Sequence, residues 1–587
     1  MGGILPELAS KDDSSSATLT QIPRTILMSI IAQRSYPAGT ASQLAESGIS
    51  PLLARVYAAR GIVDPAQLDT DIKRLLPFTQ LKNAEIMAGL LADAIAANRK
   101  FLVVADYDAD GATACAVAVR GLSMMGARVD FIVPNRFEYG YGLTPEIVHL
   151  ARQAEPDILL TVDNGIASVE GVAEANRLGM QVLVTDHHLP GDALPDALCI
   201  VNPNQPGCAF PSKHLAGVGV MFYVLMALRA EMRKRGAFAG RSEPNLGHLL
   251  DLVALGTVAD VVKLDDNNRI LVQQGLQRIR AGRGSVGIQA LLHVSHRQAE
   301  RATAYELGFM IGPRLNAAGR LEDMSLGIRC LLTDDAIEAS EIAARLDALN
   351  QERRSIEADM QDSALTVLGN FDPADSYSLS LFNEDWHQGV IGILASRLKD
   401  KFHRPVIVFA RSQTGELKGS GRSITGLHLR DALDLVSKRH PHLILKFGGH
   451  AMAAGLSIVE EDLNDFRQAF ENAAQEMLDA DSMVKVISTD GALDANEFSL
   501  AIARELQRQV WGQGFPEPLF ENDFQVRSQR VVGEKHLKLK LSSPAGSFDA
   551  IRFFSADPAP DRVHAVYSLS VNEYNGSESL QLIVRHW

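Results

Sequence analysis

The sequence predicts an α/β fold: a doubly wound parallel-sheet domain, a long helical connector, a second and smaller α/β domain, and a C-terminal β-barrel. Three observations predict it. Between residues 99 and 262, short apolar runs end in polar or acidic turns and are followed by helical stretches, the pattern of parallel strands buried on both faces. Residues 336–368 are rich in Ala, Glu, Arg, Leu and Ile and contain no proline. From about residue 484 onward, short strands of alternating polarity recur at close spacing.

Taken in order, residues 1–27 read as a weakly ordered N-terminus, polar and rich in Ser, Thr and Asp. Residues 28–335 form the first domain, opening with amphipathic helical patterns up to about residue 100. Its strands are expected at 101–105, 130–133, 158–162, 181–185 and 198–201, with helices dominating from 214 onward. The connector covers 336–370. A second α/β pattern occupies 371–478, with strands at 379–382 and 406–409 around a helix at 390–402. The remainder, 479–587, carries strands near 524–528, 536–541, 548–554, 565–571 and 580–584, as in a small barrel or sandwich.

The 587 residues, 46% hydrophobic and 22% charged, exceed what one core can organise and fit several domains. No uninterrupted apolar run of about 18 residues occurs, so no membrane span is expected. The 4 cysteines (Cys115, Cys199, Cys208, Cys330) form no Cys-x-x-Cys pair, which argues against a disulfide framework or zinc ribbon and fits a reducing cytoplasm. The net charge of -14 speaks against non-specific polyanion binding. Carboxylates that hold divalent cations count toward that total, however, and bound metal reverses their local field.

Such carboxylates are conspicuous. Asp106, Asp108 and Asp110 follow the strand at 101–105 with period two, and a continued extended chain would turn all three to one side. They stand at the carboxyl end of a strand, where open α/β sheets place their ligands. Their mutual repulsion requires solvent or a cation. Gly111 then permits a tight turn into a helix. The bland reading is a solvated turn with a helix-capping Asp. Asp163-Asn164-Gly165 ends the strand at 158–162, and Asp186-His187-His188 ends that at 181–185. Carboxylates and imidazoles at one sheet edge suit Mn²⁺ or Mg²⁺. Asp260 lies in an apolar helical stretch, where a buried carboxylate needs a partner. Jointly these positions read as a site for two ions, suited to in-line phosphoryl displacement.

The same residues resemble a known family. Asp186-His187-His188 resembles the motif that names the DHH phosphoesterases, and Asp-x-Asp-x-Asp-Gly, Asp-Asn-Gly and Gly256-Thr-Val-Ala-Asp260 match that superfamily's motifs in order. The chain is most similar to the RecJ exonucleases, through Asn135-Arg-Phe-Glu-Tyr-Gly-Tyr-Gly-Leu143, Gly312-Pro-Arg-Leu-Asn-Ala-Ala-Gly-Arg320 and Gly448-Gly-His-Ala-Met-Ala-Ala-Gly455. The last looks like the signature of the DHH-associated domain. The resemblance implies metal ligation by Asp108, Asp110, Asp163, His187 and Asp260, with Asp163 bridging two Mn²⁺ or Mg²⁺ ions. His188 would act at the scissile phosphate, and Asp106 would support the ligands. One position departs: Val104 stands where many relatives carry His, and Asp106 is the candidate to replace it. The implied activity is 5′→3′ hydrolysis of single-stranded DNA to 5′-mononucleotides in recombination and repair. A monomer is expected, with a single-strand-binding protein and a RecQ-type helicase as implied partners. DNA would thread between catalytic and associated domains, through a passage too narrow for duplex.

Other residues carry two readings each. Gly448, Gly449 and His450 form either a phosphate-cradling turn or a tight turn before a small-residue helix. Arg314, Asn316 and Arg422 suit phosphate contact, Arg through its bidentate fork; for the first two the alternative is an ion pair with Glu322 or Asp323. The C-terminal segment resembles an oligonucleotide-binding (OB) barrel, in which Arg527, Arg530, Lys535, Lys538 and Lys540 make a basic stretch. Phe524, Phe548, Phe553 and Phe554 are either base-stacking residues or core. Two other functions compete: a phosphodiesterase of the same superfamily acting on short oligoribonucleotides or cyclic dinucleotides, and a catalytically inactive nucleic-acid clamp.

Overall fold

The computed structural model describes residues 29–587 except 136–138, 140–141, 370–371, 373–375, 413–414 and 575. The expected weakly ordered N-terminus and most of the 135–143 motif lie outside the described residues. The chain divides into two compact units: one of Ile31–Ser363, Trp386–Ile393 and Ile487–Trp587, the other built around Ala364–Asp385 and Leu394–Val486.

In the first unit, β1 (Lys100–Ala105), β2 (Arg128–Ile132), β3 (Ile158–Val162), β4 (Gln181–Thr185) and β5 (Cys199–Val201) form a wholly parallel sheet in the order β2-β1-β3-β4-β5. Alternate residues feed opposite cores, as period two requires. Phe101, Val103, Leu160 and Val162 join one apolar cluster. Leu102, Val104, Leu159, Val182 and Val184 join the other, with Ile147 and Val172 of the covering helices. On the first face lie three mutually packed helices, α1 (Ala109–Met125), α2 (Gly217–Lys234) and α3 (Leu250–Ala259). The chain leaves β1 for one side of the sheet and returns on the other at β3, so the ends of β1 and β3 flank the topological switch point, where open α/β sheets bind ligands. Two further helices matter below: α4 (Gly312–Leu321) and the 33-residue α5 (Ala336–Leu368), which follows the expected connector closely.

The second unit contains a five-stranded mixed sheet of β6 (Leu379–Phe382), β7 (Val406–Arg411), β8 (Leu417–Arg422), β9 (Lys446–Gly449) and β10 (Ala453–Ile458), ordered β9-β10-β8-β7-β6. The turn after Gly449 therefore leads into a strand and not into the small-residue helix of the second reading. Alternate residues of 453–458 pack inward (Ala454, Leu456 and Ile458 are buried), and β9 supplies an antiparallel partner.

The C-terminal strands β11 (Phe520–Val532), β12 (His536–Ser543), β13 (Gly546–Arg552), β14 (Arg562–Tyr574) and β15 (Ser577–His586) close a barrel in the order β11-β12-β13-β15-β14. The barrel belongs to the same compact unit as the parallel sheet. Arg60 donates to both carboxylate oxygens of Asp490 (2.7 and 3.0 Å), and both side chains are almost fully buried. Trp511 and Phe515 stack on each other, Phe515 stacks on Tyr57 with Trp511 tilted against it, and the Arg269 guanidinium lies 4.3 Å over the Phe515 ring. Among the described residues, no helix is long and apolar enough to cross a membrane, and the four cysteines are free.

Candidate metal centre

The acidic run after β1 does not continue as an extended strand. Asp108 is the N-cap of α1, accepting from the amides of Asp110 and Gly111 (both 3.0 Å), so the capping role is real. Asp110 lies in the first helical turn, fully buried, and accepts from Gly217 N (2.6 Å) and Val218 N (3.0 Å) at the start of α2. The carboxylates converge because a helix begins between them. Gly111 makes no turn: a Cβ there would meet the Asp106 carbonyl oxygen at 2.5 Å, so glycine lets the helix start hard against the strand end.

Asp163 follows β3 in the left-handed region (φ 62°), its amide bonded to Thr185 O at 3.1 Å. Its side chain fits because position 217 lacks a Cβ, which would otherwise sit 2.5 Å from Asp163 Oδ1. A Cβ at Gly256 would likewise crowd Asp110 Oδ1 at 2.8 Å. His187 Nε2 stands 3.1 Å from Asp163 Oδ1, 3.6 Å from Asp260 Oδ2 and 3.9 Å from Asp110 Oδ2. Asp260 is the C-cap residue of α3 and is partly exposed. Three groupings of ligand atoms lie within 4.8 Å: Asp106, Asp108 and Asp163; Asp110, His187 and Asp260; Asp163, His187 and His188. All seven side chains expected at the metal centre are therefore brought together. Val104 is buried in the apolar cluster behind the sheet, and the carboxylate beside Asp108 and Asp163 is that of Asp106.

The electrostatics favour a cation. Burial, then the neighbouring Asp108 charge, push the Asp110 carboxyl up to about 7. Burial and the charges of Asp110, Asp108, Asp106 and Asp260 hold Asp163 well above the carboxylate range. Asp163 Oδ1 is buried and accepts no hydrogen bond from the described residues. Five carboxylates focused on one another, two of them fully buried, are the donor set that a hard divalent ion offsets.

Asp186, read in the sequence only as the carboxylate beside two imidazoles, is 1% exposed, and sequence reasoning missed its role as a hydrogen-bond acceptor for both histidines. Its Oδ1 accepts from the amides of His187 (2.7 Å) and His188 (3.0 Å) and lies 2.7 Å from His188 Nδ1, while Oδ2 accepts from Ile166 N at 2.9 Å. Burial works against the imidazolium, but the bond to Asp186 and the charges of Asp186, Asp106 and Asp260 outweigh it and raise His188 to about 9. Asn202 and Asn204 donate to the carbonyls of His188 (2.9 Å) and His187 (2.6 Å). The signal was available in Val201-Asn-Pro-Asn204, immediately after a strand. Asn164, read as a turn residue, instead donates to Val104 O (3.1 Å) and Val162 O (2.9 Å), tying β1 to β3.

At 314 and 316, where phosphate contacts are expected, the structure shows protein partners. Arg314 pairs with Asp347 of α5 (2.7 Å) and donates to Met310 O, an ion pair neither to phosphate nor to Glu322 or Asp323. Asn316 accepts from Ala109 N at 2.8 Å and so holds the start of α1. A Cβ at Gly319 would meet Tyr107 O at 2.0 Å, so α4 backs the acidic loop directly. In the second unit, Arg422 pairs across β10 with Ala453, and Gly449 pairs with Ala454, which places them two strands apart. Gly448 and Gly449 end a strand, Gly449 at φ 144°, and the His450 amide donates to Ala453 O within the hairpin. That amide is therefore engaged and not part of a phosphate cradle.

On the barrel, Leu537, Leu539 and Leu541 are core, and Lys538 and Lys540 face outward, Lys538 opposite Arg530. Lys540 is 3.3 Å from Asp549, Arg527 donates to Ser542 Oγ, and Lys535 lies in the exposed turn. Phe524 and Phe548 pack inside with Phe498, whereas Phe553 and Phe554 are exposed beside His536.

Comparison with known proteins agrees with this geometry. Residues 100–257 match the DHH family N-terminal domain, 375–476 the DHHA1 domain and 489–586 the RecJ OB domain. The single-stranded-DNA-specific exonuclease RecJ of Dickeya dadantii is 50% identical over 573 residues, covering 95% of this chain and 99% of its own. That of Escherichia coli is 49% identical over 551 residues, covering 91% and 95%. The crystal structure of RecJ in complex with Mn²⁺ from Thermus thermophilus superposes with a TM-score of 0.79 at 31% identity, covering 95% of this chain and 78% of that one. With identity of this extent over nearly the whole length, and with the acidic cluster assembled at the switch point of a parallel sheet, the chain belongs to the RecJ family of DHH proteins.

Proposed function

We propose that this protein is a single-stranded-DNA-specific exonuclease that hydrolyses phosphodiester bonds with two divalent cations, Mn²⁺ or Mg²⁺. The observation that carries the reading is the convergence of Asp106, Asp108, Asp110, Asp163, His187, His188 and Asp260 on one sheet edge in a chain of this family. Asp108, Asp110, Asp163, His187 and Asp260 would hold the ions, with Asp163 shared, since its carboxylate belongs to two of the three ligand groupings. When bound, the ions supply an activated water and charge stabilisation for the attacking and leaving oxygens. Asp186 Oδ1, 2.7 Å from His188 Nδ1, orients the ring in the site, where it would assist proton transfer at the scissile phosphate. Asn316 and the amides of Gly217 and Val218 keep Asp108 and Asp110 in place.

The finer reading is 5′→3′ polarity with release of 5′-mononucleotides, in recombination and repair. It includes a monomer acting in the cytoplasm beside a single-strand-binding protein and a RecQ-type helicase. Residues 28–335 form the catalytic domain, 336–370 the connector, 371–478 the associated domain and 479–587 the OB-like domain. Arg422 and Gly448–Gly449 bind substrate phosphate. Arg527, Arg530, Lys535, Lys538 and Lys540 contact the strand.

Digestion of 5′- and 3′-labelled single strands with and without Mn²⁺ tests both activity and direction. Mononucleotide release from the 5′ label is expected. Preference for dinucleotides, or release from the 3′ label first, would overturn the corresponding part.

A further inference from the structure

Pro313, near the start of α4, has no amide to offer the carbonyl of Phe309 four residues earlier, and the helix widens there into a π-helical stretch, Glu306–Ile311. Thr303 and Glu306 close the beginning of this segment through the Thr303 amide and hydroxyl (2.9 and 2.7 Å). Its inner face is glycine: a Cβ at Gly308 would lie 3.1 Å from Val258 Cγ1, and one at Gly312 would lie 3.3 Å from Ala259 Cβ. The segment is thus pressed on the last turn of α3, the turn that ends at Asp260.

The outer face is aromatic. Tyr305 and Phe309, four residues apart, are 50% and 63% exposed, and their rings stack at 5.1 Å with 26° between planes. Beside Asp260, Val261 is also largely exposed, with φ 61°. On the other side, Arg301 pairs with Glu573 and Glu578 of the β14–β15 hairpin, where Tyr574 is 73% exposed. Exposed apolar and aromatic side chains therefore stand both beside a residue of the metal cluster and at the barrel hairpin to which Arg301 is tied. Core packing does not account for them, and a soluble surface seldom leaves such a series uncovered.

We propose that Tyr305 and Phe309 form a base-stacking platform for the single-stranded substrate between the metal centre and the barrel, continued by Tyr574. The proposal rests on the function assigned above and adds its strand-selecting residues. Every base has a π-face, so stacking accepts any sequence, as an enzyme advancing along a strand requires. Bases in a duplex are stacked on one another and cannot engage the pair.

The test compares wild type with the double variant Tyr305→Ser/Phe309→Ser and with the ring-conserving Tyr305→Phe/Phe309→Tyr. For a strand of about 40 nucleotides, the serine variant should raise KM roughly tenfold or more, the scale of one lost stacking contact. Its kcat should stay within about twofold, its melting curve should overlay, and the ring-conserving variant should behave as wild type. In a second arm, without turnover, 2-aminopurine is walked along the strand in chelator. Quenching at one or two positions is expected with wild type and should be absent with the serine variant. Unchanged KM and unchanged quenching would overturn the platform. Should wild type fail to degrade single strands at all, the assigned function fails, and the quenching arm still decides the platform by itself.

Discussion

His187 Nε2 and Asp163 Oδ1 approach to 3.1 Å although they leave different strands of the sheet and are 24 residues apart in sequence, and the Asp163 oxygen accepts no hydrogen bond among the described residues. An oxygen so placed is suited to a cation. Asp163→Asn keeps the shape and tolerates the left-handed backbone, so the fold should persist. Turnover should fall by more than the roughly 10- to 100-fold typical of losing a group that merely orients a ligand. Thermal melting in chelator should show the variant at least as stable as wild type, because a buried carboxylate has gone. Near-wild-type turnover would remove Asp163 from the shared position.

Gly217→Ala would drive a methyl to 2.5 Å from that same carboxylate oxygen. Circular dichroism should be preserved, while Mn²⁺ affinity by titration calorimetry should drop by about tenfold or more. A variant with wild-type affinity would mean that Asp163 can shift without consequence.

Asn316→Ala removes the acceptor for Ala109 N and should cost about 1 kcal/mol, as cap losses do, together with a lower kcat. Arg314→Ala breaks the Asp347 pair and should lower stability with KM for long strands nearly constant. A raised KM at unchanged melting temperature would restore the phosphate role to Arg314.

Arg60→Ala leaves Asp490, 1% exposed at its side chain, with Arg34 at 3.3 Å as its remaining ion-pair partner. Breaking a buried pair costs about 3–5 kcal/mol. Limited proteolysis should then release the barrel earlier than in wild type; an unchanged digestion pattern would show that the aromatic contacts of Tyr57, Trp511 and Phe515 suffice.

Alanine at Arg530, Lys538 and Lys540 together should flatten the dependence of strand affinity on salt. Each phosphate contact contributes a logarithmic slope of about 0.7 on single strands, so the loss should approach roughly two. Equal slopes would place the strand elsewhere on the barrel.

Much of this molecule follows from local pattern. Period-two burial in residues 101–105 and 158–162 sets strands between two apolar layers, and the Pro-free run at 336–368 makes one helix. The acidic and imidazole residues sit at successive strand ends because that is where each apolar run stops. What the tertiary structure decided depends on partners distant in sequence. Asp110 reaches the site only because the helix start at 217–218 caps it. Asp163 fits only because Gly217 has no side chain, and Asp186 orients the His188 imidazole while holding the backbone amides of both histidines. Arg314 and Asn316, which alone read equally well as phosphate ligands, are occupied by Asp347 and by the first amide of α1. Gly448–Gly455 becomes a hairpin because residues 446–449 and 453–458 pair as antiparallel strands. Residue type and spacing specify which groups a chain can offer; burial, clearance and hydrogen-bond satisfaction across the fold specify which of them remain available to a ligand.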